Sequence, residues 1–490
     1  MANKFFKKKV HSKQDDQLFR ELCRNIGSER VKRDGASQLL YSRDGSAFPG
    51  GIPGIVCFPE TTQHVVDCIK AANRHDRSFV PRGAGTGLAG GAVPCDAPLV
   101  ISTTKMNSIL EVNYEKQFAW VEPGVVNLDL TKSLSEFGFH FAPDPSSQQS
   151  CTIGGNVANN SGGPHCLAYG VTNAHVLAVE VVLPDGTLVQ LGDIDGHMSG
   201  YDLRGVFVGG EGTLGIATRI AVKLTPNPPT ICTLLLDFMD VADAAKTVSA
   251  IIAAGIVPAA MEMMDKRIVK VVEEFVKVGY PTDAAAVLII EIDGLSDGVR
   301  LETEQIKKIS LDCGARSVRV ASSDIEREKI WKGRKSAFGA VAQVQPGYYL
   351  HDTVIPRTKL VEVLEEVYEI ANRYELIVMN VFHAGDGNLH PLLLFDPQEP
   401  GVMDRVLLAG EEIVQVSLDA GGVLSGEHGI GLEKKRFMEN FFSKEDLAAQ
   451  KLVKDAFDPD GRANPFKVLP SGASCSEVNH LSQLPDGAWV

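Results

Sequence analysis

None of the nine cysteines (Cys23, Cys57, Cys68, Cys95, Cys151, Cys166, Cys232, Cys313 and Cys475) stands in a Cys-x-x-Cys pair, and their number is odd. The scatter offers no iron–sulfur or cysteine-type zinc site and suits reduced thiols in a cytosolic protein. A one-electron relay, where one is needed, then lies on another chain. Also missing is any run approaching the ~18 apolar residues of a membrane-spanning helix. An excess of basic charge is absent too: 48 Lys and Arg face 62 Asp and Glu, for a net charge of −14. That balance argues against nucleic acid as the main partner. The start, Met1 to Val10, carries Lys4, Lys7, Lys8 and Lys9 with no apolar stretch behind them. It reads as a solvated tail rather than a secretory signal, with contact to an anionic membrane surface as the alternative. What remains is 44% hydrophobic and 22% charged over 490 residues. At roughly 100–200 residues per domain, that is a globular chain of about two to four domains.

The composition breaks at Thr225-Pro226-Asn227-Pro228-Pro229, where prolines stop any helix or central strand. The part before it is rich in glycine and short β-like runs. Helices are predicted over Thr61 to His75, capped by Thr61 or Thr62, and over Asn127 to Phe137 with Gly138 at C′. Val176 to Leu183, Pro184-Asp185-Gly186 and Thr187 to Val189 read as strand, turn and strand. Beyond the break, strands at Ile231 to Phe238, Ala286 to Ile292, Ser317 to Ala321, Tyr348 to Ile355, Leu376 to Phe382 and His390 to Phe395 alternate with amphipathic helices. Those helices begin after Asp240, follow the second strand through Lys308, and span Arg357 to Tyr374 and Val402 to Leu418. The order predicts an antiparallel or mixed α+β layer with helices on one face.

Three glycine clusters precede the proline break. Pro81-Arg82-Gly83-Ala84-Gly85-Thr86-Gly87-Leu88-Ala89-Gly90-Gly91 contains a literal G-x-G-x-x-G, with Glu111 downstream as the dinucleotide fingerprint asks. A Rossmann turn must open a helix, and Gly90, Gly91, Pro94 and Pro98 leave no room for one. What survives is a loop of bare backbone N–H groups able to cradle a diphosphate. The second cluster runs from Pro143-Asp144-Pro145 through Cys151-Thr152-Ile153-Gly154-Gly155 to Asn159, Ser161, Gly162 and Gly163. The third is Val208-Gly209-Gly210-Glu211-Gly212-Thr213-Leu214-Gly215-Ile216. Each alone is as well explained by tight turns; together they favour a large extended ligand.

In this order the clusters resemble the FAD-binding domain of the vanillyl-alcohol oxidase/para-cresol methylhydroxylase (PCMH) flavoproteins. The resemblance implies that Pro81, Arg82, Gly83, Ala84, Gly85, Thr86, Gly87 and Leu88 hold the pyrophosphate. It implies that Pro143, Asp144, Thr152, Gly154, Gly155, Asn159, Ser161, Gly162, Glu211, Gly212, Gly215 and Ile216 line the rest of the cofactor, with Asn464 from the C-terminal motif. Members with covalent flavin place a His where this loop has Thr86, so non-covalent FAD is implied. The expected fold is α+β: a PCMH-type FAD-binding domain of two α/β subdomains, a ferredoxin-like α+β substrate domain and a C-terminal helical segment. The expected boundaries are 1–48 for an N-terminal helical segment, 49–227 for the FAD domain, 228–430 for the substrate domain, and 431–490 for a segment returning to the FAD domain.

The sharpest catalytic signal is later, in His383-Ala384-Gly385-Asp386-Gly387-Asn388-Leu389-His390 and Ser425-Gly426-Glu427-His428-Gly429. Apolar strands flanking a Gly/Asp/Asn turn form a hairpin that brings His383 and His390 together. Two imidazoles and a carboxylate make an open divalent-metal set. These motifs are similar to those of the flavoprotein subgroup that oxidises D-2-hydroxy acids, the glycolate dehydrogenase type above all. That likeness extends over Trp331 to Lys335, Ala456 to Gly461, Asn464 and Pro465. It implies His383, His390 and Glu427 as ligands of zinc, iron or manganese, His428 as the base and Arg334 as the substrate-carboxylate arginine. Dehydrogenases of larger acids have a lysine near Tyr349-Leu350-His351-Asp352 and an Asn where this chain has Leu392; both departures suit a short acid. Phe466 stands where relatives usually have Gly.

The implied chemistry is oxidation of a small 2-hydroxy acid, glycolate first and D-lactate as runner-up. In that chemistry His428 would take the hydroxyl proton, a metal would make that hydroxyl more acidic, and flavin N5 would accept the hydride. The glycolate type further implies a second flavin-domain subunit and an iron–sulfur subunit as partners. A cytoplasmic location, peripheral at the inner membrane face through those partners, goes with this. Rival readings are a metal-dependent hydrolase using the His/Glu set and a non-catalytic flavin-binding subunit.

Overall fold

In the computed structural model, which describes residues 13–48, 50–96, 98–195 and 200–470, the glycine clusters and the histidine turns lie at the ends of strands from different sheets. The basic start and Cys475 lie outside the described residues. A first sheet has the order Val31–Lys32, Ile55–Cys57, Leu99–Ser102, Phe79–Arg82, with the last three strands parallel. Helix Thr62–Arg74 covers it, capped as predicted by Thr61, whose hydroxyl accepts from the His64 N–H. Helix Lys13–Ile26 packs its Leu18, Leu22 and Ile26 into the same core. Carboxyl ends of parallel strands are where such sheets bind ligands, and Phe79–Arg82 ends there, delivering Arg82 and the first glycine loop. Residues 83–96 contain no helix, as Gly90, Gly91 and Pro94 require.

A second, antiparallel sheet has the order Ile109–Asn113, Phe118–Val121, Ile216–Lys223, Val176–Val182, Leu188–Gly192. Its turn at Pro184 to Gly186 is the predicted one, with Gly186 at φ +85°. Glu180, the lone charge in an apolar run, accepts hydroxyl hydrogen bonds from Thr62 and Thr218 at 3.0 and 2.9 Å. The second glycine cluster contains a short helix, Ile153–Asn159, with Thr152 as N-cap.

After the prolines the chain builds a nine-stranded sheet. Its first part, Ser317–Val320, Thr230–Phe238, Ala286–Gly294, Ala260–Asp265, has the 4-1-3-2 antiparallel order of a ferredoxin-like unit. Ile377–His383 continues it and pairs with Asn388–Leu389 and Pro391–Phe395. Helices cover both faces, not the one expected. Val241–Ala253, Ser296–Asp312, Leu360–Arg373 and Val402–Asp419 pack on Leu288 and Ile290. On the opposite face Lys266–Val276, Asp324–Lys335 and Ala337–Val341 pack on Val287 and Ile289. Ala286 to Ile292 is apolar at almost every position, which is how a strand buried on both sides reads. The predicted strand Tyr348 to Ile355 is two strands, Gly347–Leu350 and Thr353–Val354, interrupted at His351 and Asp352. Ala463 returns to bridge Phe79 in the first sheet. Phe466 takes φ +69°, a left-handed conformation that explains why glycine suits its position. Among the described residues no helix is long and apolar enough to cross a membrane.

Candidate active site

The three glycine clusters and the histidine turns surround one cavity of about 460 Å³. Its walls include Pro81, Arg82, Gly83, Ala84, Gly85, Thr86, Gly87 and Leu88, then Thr152, Gly154, Gly155, Asn159 and Ser161, then Glu211, Gly212, Gly215 and Ile216. Four expected cofactor residues stand behind the wall. Asn464 donates Nδ2 to the Gly91 and Glu211 carbonyls at 2.9 and 2.7 Å. Asp144 turns to His165 Nδ1 at 2.8 Å, and the Pro143 carbonyl accepts from Asn127. Pro145, Ser146 and Ser147 line the cavity in their stead. Gly162 abuts the histidine turns: a Cβ there would lie 2.9 Å from Glu427 Oε2.

The cradle fits an anionic, close-lying ligand. Burial lowers the pKa of the Arg82 guanidinium, and its buried Nη1 has no hydrogen-bond partner. A buried cation without a full set of acceptors is costly, and a phosphate would supply them. Gly87 and Gly155 carry no positive φ, and a Cβ on either would meet protein no closer than 3.7 and 3.4 Å. The protein's own packing does not require glycine there, and bare backbone leaves room for a ligand to approach closely.

The hairpin Ile377–His383 to Asn388–Leu389 places the His383 and His390 rings 5.0 Å apart. Each ring has Nδ1 against an acceptor: His383 against Glu262 Oε1 at 2.6 Å, His390 against the His351 carbonyl at 3.2 Å. An acceptor at Nδ1 sets the Nδ1–H tautomer and leaves Nε2 free for a ligand. Both Nε2 atoms converge on Glu427 Oε1, at 3.3 and 3.1 Å. Among the described residues, these three side chains form a group with ligand atoms all within 4.8 Å. Burial alone would raise the Glu427 pKa, yet the two imidazoles hold it well below the usual carboxylate range. Burial alone would lower that of His383, yet Glu262 and Glu427 hold it above the usual range.

The loop Ser425 to His428 wraps around the carboxylate of Asp352, which accepts from the Ser425 hydroxyl and from the N–H groups of Gly426, Glu427 and His428. Lys434 Nζ, fully buried, pairs with that carboxylate at 3.2 Å. This demand explains the interrupted strand: Asp352 leaves the ladder to hold the loop. On the cavity side Glu211 accepts from the Ile430 and Gly431 N–H groups at 2.6 and 2.7 Å, and Asn159 donates to the His428 carbonyl at 2.7 Å. His428 stacks on His390 at 5.1 Å with nearly parallel rings, and its buried Nδ1 has no partner. Burial pulls its pKa down to about 4, so the ring is unprotonated near neutral pH.

Arg334 is not brought to the cavity wall. It is 1% exposed, with Nε 2.7 Å from Glu262 Oε2. Nη2 lies equally near that oxygen but outside hydrogen-bond geometry, and has no partner. Leu392 is buried in the core and does not reach the cavity. Sequence reading missed Glu262, whose strand Ala260–Asp265 it did not predict, and Asp352 with Lys434. It also missed Phe338 and Tyr348, stacked at 6.5 Å on the cavity wall. The available signal for Glu262 was one carboxylate in the apolar run Ala259 to Met264. A further interdomain device was unread: His165 bridges Asp144 and Glu291 Oε1 (3.2 Å), and Trp331 Nε1 donates to Glu291 Oε2 at 2.6 Å.

Residues 53–192 match the FAD binding domain family, and residues 227–468 match the C-terminal domain of FAD linked oxidases. The chain is 42% identical over 451 residues to the glycolate oxidase subunit GlcD of Escherichia coli (strain K12), covering 91% of this chain and 90% of that protein. It is 33% identical over 459 residues to a D-lactate dehydrogenase of Anaerostipes hadrus, covering 91% and 96%. The crystal structure of p-cresol methylhydroxylase with substrate bound superposes with a TM-score of 0.79 at 16% identity, covering 94% of this chain and 98% of that one. The cradle, the PCMH-type fold and these likenesses agree: the chain belongs to the FAD-linked oxidase family, a flavoprotein oxidoreductase that binds FAD.

Proposed function

We propose that the chain oxidises a short 2-hydroxy acid, glycolate to glyoxylate, with non-covalently held FAD and a divalent cation on His383, His390 and Glu427. The observation that carries this reading is the convergence of the two Nε2 atoms on Glu427 beside the glycine-lined cavity, with His428 stacked alongside. When bound, FAD supplies a hydride acceptor and the cation a Lewis acid that makes a hydroxyl easier to deprotonate. His428 takes the hydroxyl proton: its ring is unprotonated near neutrality and Nδ1 is unengaged. In this reading Arg334 is assigned the substrate carboxylate; it stands behind the cavity wall, ion-paired with Glu262, with Nη2 making no hydrogen bond. Phe338, Tyr348 and Leu350 wall the cavity with apolar surface and exclude water. No lysine or arginine from beyond the proline break lines the cavity, and with Arg334 behind the wall assigned to one carboxylate the lining offers no cation for a second, which suits glycolate or lactate over a dicarboxylate.

The division into a flavin part (49–227), a substrate part (228–430) and a returning C-terminal segment (431–490) belongs to this reading. So does an electron acceptor on another chain. The relative from Escherichia coli is named as a subunit, and we propose a second flavin-domain subunit and an iron–sulfur subunit as partners at the cytoplasmic membrane face. D-lactate is the second substrate reading, favoured by the Anaerostipes relative. The test is anaerobic mixing of the yellow protein with glycolate or D-lactate in a stopped-flow instrument. Wild type bleaches, glycolate giving the higher kcat/KM. His428→Ala keeps its flavin spectrum but reduces about 10²–10⁴-fold more slowly. Unchanged reduction in that variant refutes the role of His428, and colourless protein or no bleaching with either acid refutes the function.

A further inference from the structure

Glu262 takes no part in the mechanism above, yet it touches two of its members. It is fully buried, on a strand that pairs with Ile377–His383 so that Glu262 lies directly opposite His383. Its two carboxylate oxygens are divided: Oε1 accepts from His383 Nδ1 at 2.6 Å, and Oε2 from Arg334 Nε at 2.7 Å. His383 is placed to hold the cation, and Arg334, buried behind the cavity wall, is the residue the proposed function assigns to the substrate carboxylate. We propose that Glu262 is a positioning residue that couples metal binding to substrate binding, using one oxygen to orient His383 and the other to orient Arg334. The inference rests on the metal and substrate reading above.

The geometry makes the coupling specific to an acceptor on both sides. An ionised carboxylate offers only acceptors, and both partners offer N–H donors. A ligating imidazole needs its remote nitrogen protonated and held, and loss of such a partner typically costs 10–100-fold in metal affinity or activity. Glu262→Gln puts an NH₂ where one oxygen was. The amide satisfies His383 or Arg334, never both, and meets the other donor to donor.

The experiment uses full-length, flavin-loaded protein stripped of metal, with zinc as the probe. Zinc affinity is read by competition with a chromophoric chelator, and KM and kcat for glycolate are read on reloaded enzyme. Glu262→Gln is expected to bind zinc at least ~10-fold more weakly and to raise KM, with its flavin spectrum retained. A second variant, Glu262→Gln with Arg334→Met, removes the competing donor, so the amide oxygen is free for His383. Zinc affinity is expected to recover toward wild type while KM stays high. This pair also keeps the test valid where Glu262→Gln alone folds poorly, because the unpaired buried guanidinium is gone. Wild-type zinc affinity in the folded single variant, or a double variant that binds zinc no better than the single one, overturns the coupling. Wild-type protein that binds no zinc overturns the metal reading itself, a separate result.

Discussion

Replacing Gly87 by alanine separates what the protein needs from what its ligand needs. The added methyl meets only Asn159 Nδ2, at 3.7 Å, at a backbone conformation without positive φ. The flavin-free protein accommodates it, and reduced freedom of the unfolded chain stabilises it by about 0.4–1 kcal/mol. That methyl enters the cavity that Gly87 lines, where the proposed pyrophosphate lies against bare backbone. Holding a phosphate off one N–H donor removes a charge-assisted hydrogen bond of about 1.5–3 kcal/mol. At about 1.4 kcal/mol per decade, FAD binds roughly ten- to a hundred-fold more weakly. The assay is titration of FAD into apoprotein, read by quenching of flavin fluorescence, alongside thermal melts of the apoprotein. Gly85→Ala is the contrast, since Gly85 sits at φ +76° and a Cβ would lie 2.1 Å from Arg82 Nη2. That variant loses stability with or without flavin. Unaltered FAD affinity in Gly87→Ala, or an apoprotein melting as low as that of Gly85→Ala, refutes the reasoning.

Two further outcomes follow from the walls of the site. Phe338→Ala removes half of an aromatic stack on the cavity wall, so kcat/KM for 2-hydroxybutyrate relative to glycolate rises about 10-fold or more; an unchanged ratio shows that the stack does not limit substrate size. His165 links the flavin part to the large sheet; burial lowers its pKa, but Asp144 and Glu291 outweigh this and raise it to about 10. A histidine bound more tightly to its proton when folded contributes stability that is full below about pH 6.5 and lost as pH rises through about 10. Melting temperature between pH 7 and 10 therefore falls more steeply in wild type than in His165→Asn, and parallel slopes count against the clamp.

Local signals carried far. Thr61 as a cap, the turn at Pro184 to Gly186, the hairpin between His383 and His390, and the rejection of a Rossmann helix after Gly91 were all legible, because each depends on neighbours within a few residues. The strand Ala260–Asp265 was not. Its side chains are buried on both faces, so Met-Glu-Met-Met shows no alternation of apolar and polar residues. The break at Asp352 escaped notice because the groups that draw it out of the ladder lie in the loop from Ser425 to His428, far along the chain.

Sequence alone settled the inventory: a loop of bare backbone for a phosphate, two histidines on one hairpin, and an acid beside a third histidine. These are properties of short segments, where backbone freedom and spacing decide. Folding settled the partnerships. Glu262 meets His383 across 121 positions and Arg334 across 72, and Glu211 holds the Ile430 and Gly431 amides across 219 and 220. Which buried donor faces which buried acceptor depends on strand parity and sheet order. A carboxylate taken out of water must find its donors wherever packing brings them.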